Sequence, residues 1–270
     1  MKIAVIGSGN MGGAIARGLA GKGIVPAAQI ICTARTRSTL DALARDVPGV
    51  GVSLDNAAAV ADADWVFLCV KPWLVEAVCR EIRDALPADA AVASVAAGVS
   101  LGELERALGG DDPTRRRAVF RVMPNTAAVC GESATFVSAA EGAPRERLAE
   151  LRGILDALGE TRVVPEAKMA AAAALASCGI AFAMRYVRAA CEGGVELGFY
   201  PDEAREIVLR TLRGAVAVLE RSGAHPEAEI DRVTTPGGVT IRGLNAMEAA
   251  GFTSAVVAGL RAAAGKASDR

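Results

Sequence analysis

Through residue 164, short runs of β-branched residues alternate with alanine- and leucine-rich stretches whose apolar positions recur at helical spacing. The runs predict strands near 2–7, 29–33, 50–53, 64–70, 91–95, 117–122, 134–138 and 161–164. Strands alternating with helices in this way predict βαβ units and a parallel, doubly wound sheet covered on both faces. After Pro165 the strand signal stops. Helical patterns then run to about Leu197, from Pro201 to Arg221, and from Thr240 almost to the end. The expectation is an α/β domain over residues 1–164 followed by an all-α domain over 165–270. No internal repeat or low-complexity linker interrupts it, and the charged loop 109–117, with Arg115, Arg116 and Arg117, reads as a solvated connection.

A chain of 270 residues that is 52% apolar has ample material for a core, which excludes intrinsic disorder. Its 30 basic and 31 acidic residues leave a net charge of −1, with no overall field to hold nucleic acid or a membrane surface. The longest uncharged run, residues 169–184, is 16 residues rich in alanine and broken by Ser177, Cys178 and Gly179, which reads as a buried interface helix rather than a bilayer span. Because Met1 leads directly into a strand, no signal peptide is expected and the cytoplasm is the expected location. The six cysteines form no C-x-x-C pair, and His225 is the single histidine, so no metal site is expected and the thiols should be free and mostly buried. His225, in Gly-Ala-His-Pro, belongs at a helix boundary with a structural or solvent-facing role.

The first chemical signal is Gly7-Ser8-Gly9-Asn10-Met11-Gly12, directly after the first strand and before a helix starting near Gly12. In that place each glycine has a distinct role, with a tight turn at Gly7, close approach of a pyrophosphate at Gly9, and close helix–strand packing at Gly12. The helix start adds unpaired N–H groups and a positive dipole end. An NAD site places an acid at the end of the second strand, about 20 residues past the motif, to bond the ribose 2′-hydroxyl. Here that place holds Ala34, Arg35, Thr36 and Arg37, and guanidinium forks with hydroxyls suit a 2′-phosphate, so NADPH is predicted, with NADH as a second possibility. Three later strand tails should line the rest of the cofactor's path: Val70-Lys71-Pro72, Ala96-Ala97-Gly98 and Met123-Pro124-Asn125. In the helical half, Thr235-Pro236-Gly237-Gly238-Val239-Thr240 presents backbone N–H groups and hydroxyls at a helix start, a cradle for a small carboxylate.

The glycine turn, Val70-Lys71-Pro72, Ala96-Ala97-Gly98, Arg121-Val122-Met123-Pro124-Asn125 and, above all, residues 231–248 (DRVTTPGGVTIRGLNAME) together resemble the pyrroline-5-carboxylate reductase family over nearly the whole chain. The resemblance implies a Rossmann domain followed by a helical domain that interlocks with a partner copy. It implies an obligate homodimer, which in the family can assemble further into a ring-shaped decamer. The implied activity is NAD(P)H-dependent reduction of L-1-pyrroline-5-carboxylate to L-proline, by hydride transfer to a cyclic imine carbon. Position by position, Ser8, Gly9, Asn10, Met11, Ala34, Asn56, Val70, Lys71, Ala96, Ala97 and Gly98 match cofactor contacts. Glu166, Val239 and Thr240 match substrate positions, with the Thr240 hydroxyl at the ring nitrogen and the backbone of 235–238 on the carboxylate. One segment departs: the family commonly has Ser-Gly-Ser-Gly-Pro-Ala where this chain has Ala176-Ser177-Cys178-Gly179-Ile180-Ala181. Three alternatives are a reductase of a related cyclic imine, a β-hydroxyacid dehydrogenase, for which Lys168 is the only lysine near the required place, and an NADPH-binding scaffold without turnover.

Overall fold

Strand β1 (Ile3–Ile6) sends its side chains alternately into two cores. Ile3 and Val5 pack with Ile15 and Leu19 of helix α1 (Asn10–Gly21), while Ala4 and Ile6 join Val60 of α3 (Asn56–Val60) and Val78 and Ile82 of α4 (Val75–Ile82). This period of two is what a strand buried on both faces requires. The structure, a computed structural model, describes residues 1–109, 112 and 117–268, with side chains as far as 265. Arg115 and Arg116 thus lie outside the described residues; the Arg117 guanidinium donates to the carbonyls of Arg83, Leu86 and Pro87.

All eight expected strands form, within about two residues of their expected ends. Numbered along the chain, β2 is Ile30–Thr33, β3 Gly51–Ser53, β4 Trp65–Leu68, β5 Ala91–Ser94, β6 Val119–Met123, β7 Ser133–Ala139 and β8 Gly159–Val163. Their order in the single sheet is β3-β2-β1-β4-β5-β6-β7-β8. Ile3 pairs with Ile30 on one side and Trp65 on the other, so the chain reverses direction across the sheet beside β1. That reversal opens a crevice outside the carboxyl ends of the strands. The all-parallel expectation fails at one place: β7 runs antiparallel to β6, Phe120 pairing with Ala139. Only nine residues join the two, too few for the crossover that a parallel partner needs.

Helix α6 (Arg145–Asp156) joins β7 to β8, and past β8 the chain is helical: α7 (Met169–Ala172), a π-turn at Ala173–Cys178, α8 (Gly179–Glu196), α9 (Pro201–Ser222), α10 (Pro226–Val233), α11 (Val239–Ala249) and α12 (Phe252–Ser268). The single last helix expected from the pattern is two, because Gly251 takes a left-handed φ of 84° and ends the first. Helix α10 was not in the periodicity, being only two turns long. His225 caps it, its Nδ1 accepting from the Glu227 N–H at 3.3 Å, and Pro226 opens its first turn. The helical stretch Glu166–Glu196 has a mean hydropathy of 1.6 in its most apolar window, so by length and composition it is long enough to cross a bilayer, which the 16-residue uncharged run alone did not indicate.

Two compact units result, Met1–Ser177 with the chain's last residues from Ala264, and Cys178–Ala263. Within the first lie both cores. In the second, Ala204 is the only buried residue among those described, and Phe182, Met184, Leu197, Phe252 and Val257 are exposed. All six cysteines are free, but only Cys32 and Cys79 are fully buried; Cys69, Cys178 and Cys191 are half-buried and Cys130 is exposed.

Candidate active site

The turn after β1 closes on itself through Gly9 N–H donating to the Gly7 carbonyl at 2.9 Å, and it is tied to the end of β2 by the Gly7 and Ser8 N–H groups on the Thr33 carbonyl. Gly7 takes a φ of 95°, and a Cβ there would stand 2.8 Å from Val70 Cγ1. A Cβ on Gly12 would meet the Gly7 carbonyl at 2.5 Å and the Cys69 Cβ at 3.0 Å, so helix and strand approach as closely as only glycine allows. Gly9 differs: nothing lies within 4 Å of the place its Cβ would take. Its open side, with the N–H groups at the start of α1, looks into a cleft of about 790 Å³, a size typical of small-molecule sites. Ser8 lines the same cleft at 4% exposure, with its hydroxyl oxygen buried beside the Cys32 thiol. Burial pushes that thiol up to about 11, against a smaller lowering from its hydrogen bond with Ser8, and it stays protonated. A bare glycine face over the N–H groups of a helix with no side-chain cap fits a dinucleotide's pyrophosphate.

The cleft brings together most of the expected cofactor set: Gly7, Ser8, Gly9, Asn10 and Met11 on the turn, Ala34, Arg35 and Thr36 after β2, Val70, Lys71 and Pro72 after β4, and Ala96 and Ala97 after β5. Gly12 sits behind the wall. Arg35 is exposed and makes no ion pair or hydrogen bond among the described residues, whereas Arg37 Nε donates to Asp41 at 2.9 Å one helical turn on. The Thr36 hydroxyl lies 2.9 Å from that of Thr39 and 3.3 Å from that of Ser38, a group of hydroxyls at the start of α2 (Arg37–Asp46). Asn56 stands outside the cleft and accepts from the Thr33 hydroxyl at 2.7 Å, which props the strand end that carries the glycine turn. Gly98 makes a turn with φ of 78° beyond the wall. Asn125 is buried: its side chain accepts from the Ala127 N–H at 3.0 Å and donates to the Ala176 carbonyl at 3.5 Å.

Sequence reasoning missed Thr39, Cys69, Trp73, Leu74 and Val95, which complete the cleft. Trp73 and Leu74 follow Pro72 in a short 3₁₀ turn, and their signal was only that two large apolar residues continue past the strand tail. Arg121, quoted in the segment 121–125 but given no site role there, donates from Nη1 to Glu166 Oε1 at 2.8 Å. The same carboxylate accepts from the Leu101 N–H at 2.7 Å, so Glu166 ties β6 to the start of α5 (Leu101–Ala107). The departing segment 176–181 overlaps the π-turn, where the Ser177 hydroxyl donates to the Pro124 carbonyl at 2.8 Å. Lys168 is exposed, and its ammonium has no partner among the described residues.

In the helical unit, Thr235, Gly237, Gly238, Val239 and Thr240 form one turn and helix start. Gly238 N–H donates to the Thr235 carbonyl at 2.9 Å, Gly237 has a φ of 72°, and Gly238 is the N-cap of α11. No side chain caps that helix and no acid lies in its first turn, so its N–H groups are available to an anion. Val239 is 82% exposed, and the Thr240 hydroxyl is exposed and unpartnered among the described residues.

A doubly wound sheet with a three-glycine turn under a nucleotide-sized cleft defines a dinucleotide-dependent oxidoreductase. The family model described as "NADP oxidoreductase coenzyme F420-dependent" matches residues 2–98, and that described as "Pyrroline-5-carboxylate reductase dimerisation" matches residues 166–270. "Pyrroline-5-carboxylate reductase 2" of Dictyostelium discoideum is 35% identical, with 98% of this chain and 92% of the relative covered. "Pyrroline-5-carboxylate reductase 1" of the same organism is 36% identical over 99% of this chain, which spans about half (49%) of that relative's length. The crystal structure of Plasmodium falciparum pyrroline carboxylate reductase with NADP bound, 23% identical, superposes with a TM-score of 0.89 over 99% of this chain and 97% of that one, and so has the same fold. The chain belongs to the pyrroline-5-carboxylate reductase family.

Proposed function

We propose that this chain reduces L-1-pyrroline-5-carboxylate to L-proline with NADPH, the last step of proline synthesis. The observation that carries the reading is the glycine turn, whose bare Gly9 face and uncapped helix start open on a cleft with the unpaired Arg35 at its rim. NADPH, when bound, supplies the hydride for the imine carbon. The protein's part is to hold the two reactants in register, to stabilise the ring nitrogen as it becomes an amine, and to exclude water. Arg35, with the hydroxyls of Thr36 and Thr39, takes the 2′-phosphate. The N–H groups of 235–238 hold the carboxylate, and the Thr240 hydroxyl bonds the ring nitrogen, orienting it and relaying a proton from water. Glu166, fixed by Arg121 and the Leu101 N–H, is a positioning group for the wall beside the substrate.

Residues 1–164 carry the cofactor and 165–270 the substrate turn and the dimer contact. A homodimer, assembling into a ring of five dimers, covers the apolar faces left open in the helical unit; the partner of those faces is a second copy rather than a bilayer. The near-zero net charge agrees with the absence of a nucleic-acid partner, and six free thiols agree with a reducing compartment such as the cytoplasm.

The test is loss of NADPH absorbance on adding L-1-pyrroline-5-carboxylate, with NADH, the six-membered imine and the 2-carboxylate isomer run alongside. Rapid oxidation with the 5-carboxylate supports the reading. Turnover of another imine alone would assign the segment 176–181 to a retuned pocket, and silence with all of them would leave a cofactor-binding scaffold.

A further inference from the structure

The chain has two tryptophans, used in opposite ways. Trp65 is fully buried in the sheet's core between Phe67 and Phe120, while Trp73 is 72% exposed and stands on the wall of the cofactor cleft. An indole left in water beside an open cleft is an unfavourable place for so large an apolar surface, unless a flat partner covers it. Its place in the fold says which partner. The cleft runs across the ends of β2, β1, β4 and β5, with Arg35, Thr36 and Thr39 at one end and Val95, Ala96 and Ala97 at the other. Ala96 is buried and small, the setting needed by the ring that gives up hydride, which must be shielded from water and must keep one face free for the imine. A bulky indole on that ring would obstruct the face. The other aromatic end of the dinucleotide has no reacting atom and tolerates the outer rim, where Trp73 stands.

We infer that Trp73 is the stacking platform for the purine of the cofactor, a specificity and affinity residue for the adenosine half. This rests on the reading of the cleft as the NADPH site. With Arg35 on the 2′-phosphate and Trp73 on the base, the adenosine end is held by charge on one bank and by a π-face on the other, and neither contact changes as hydride moves. Trp73 therefore acts on cofactor binding equally in ground and transition states, which raises affinity without raising kcat.

The experiment titrates NADPH and 2′,5′-ADP, a fragment that carries the purine and the 2′-phosphate but no nicotinamide, into the wild type, Trp73→Ala and Trp73→Phe by calorimetry. In Trp73→Ala both ligands are expected to bind about five- to a hundredfold more weakly, the range for losing one base–aromatic stack. Trp73→Phe should recover most of the loss, KM for NADPH should rise far more than kcat falls, and the thermal midpoint should hold because the side chain is exposed. In the wild type, Trp73 fluorescence should be quenched by 2′,5′-ADP. Unchanged affinity for both ligands in Trp73→Ala overturns the inference. So does weakened NADPH binding with unchanged 2′,5′-ADP binding, which would put the indole at the nicotinamide end. If the wild type binds neither ligand, the reading of the cleft itself fails, and the inference with it.

Discussion

Arg35 and Arg37 are two residues apart and chemically identical, yet the fold gives them different work. Arg37 is held by Asp41 at 2.9 Å, and Arg35 stays unpaired on the cleft wall. An exposed i,i+4 pair is worth little in stability, but it does hold a guanidinium away from a ligand. Arg35→Ala is therefore expected to cut the NADPH over NADH preference about tenfold or more, in line with losing a charge-assisted pair, while Arg37→Ala changes it by less than about threefold. Ratios of kcat/KM for the two cofactors measure this, and equal effects would contradict the division. Thr240 is the residue proposed to bond the ring nitrogen. Thr240→Ala should lower kcat/KM by about ten- to a thousandfold, the range for one positioned polar group. Unchanged turnover in that variant removes the hydroxyl from the mechanism. Both residues were legible in the sequence because each sits at a fixed offset from a turn motif. Trp73 and Thr39 were not, since nothing local distinguishes them from any other surface residue, and Arg121 stood in a family-like segment without a role of its own.

At the level of elements, the start of α5 gathers more polar contacts than its seven residues need. Ser100 and Glu103 form a reciprocal capping box, and Glu166 takes the Leu101 N–H. The helix begins just past Ala96 and Gly98, so its cap holds the β5 end of the cleft. The Ser100 hydroxyl and N–H hold the Glu103 carboxyl below its usual value near 4.5, with burial a smaller opposing effect. A depressed folded-state pKa adds stability above the unfolded value that is lost as pH falls through the folded one. Ser100→Ala should thus cost about 1 kcal/mol near neutral pH, the usual worth of an N-cap. Its cost should shrink as the pH falls below 4.5 through the depressed folded-state value and Glu103 protonates in the wild type as well. Urea unfolding of the wild type and the variant at the two pH values checks both sign and size. The box Ser-x-x-Glu was open to a reader of the sequence. The π-turn at 173–178 was not, because an alanine-rich run fits an ordinary helix equally well, and only the bonds from Ser177 to Pro124 and from Asn125 to Ala176 show where it widens.

Across the whole molecule, the two units differ in how much they bury. The sheet unit buries complete side chains on both faces, while the unit 178–263 buries only Ala204 among the described residues and leaves an apolar groove lined by Phe182, Tyr186, Met247, Phe252 and Val256. Helices with so much apolar surface open do not persist alone in water. A dimer that buries these faces should unfold with a thermal midpoint that rises with protein concentration, because dissociation is coupled to unfolding. A monomer by light scattering at micromolar concentration, with a midpoint independent of dilution, would contradict it.

What the sequence determined by itself follows from short-range physics. Alternating apolar runs fixed eight strands and their helices, three glycines at set spacing fixed the tight turn after β1, and a Thr-Thr-Pro-Gly-Gly turn before a helix fixed the second candidate site. Each is a property of a few neighbouring residues, whose backbone leaves little choice. The tertiary structure alone decided the rest: that β7 runs antiparallel, since linker length becomes a constraint only once both strands are in one sheet; that Arg35 and not Arg37 is free; and that Trp73 faces the cleft. These depend on which distant segments share a wall, and contacts between residues far apart in the chain leave no mark on the local pattern.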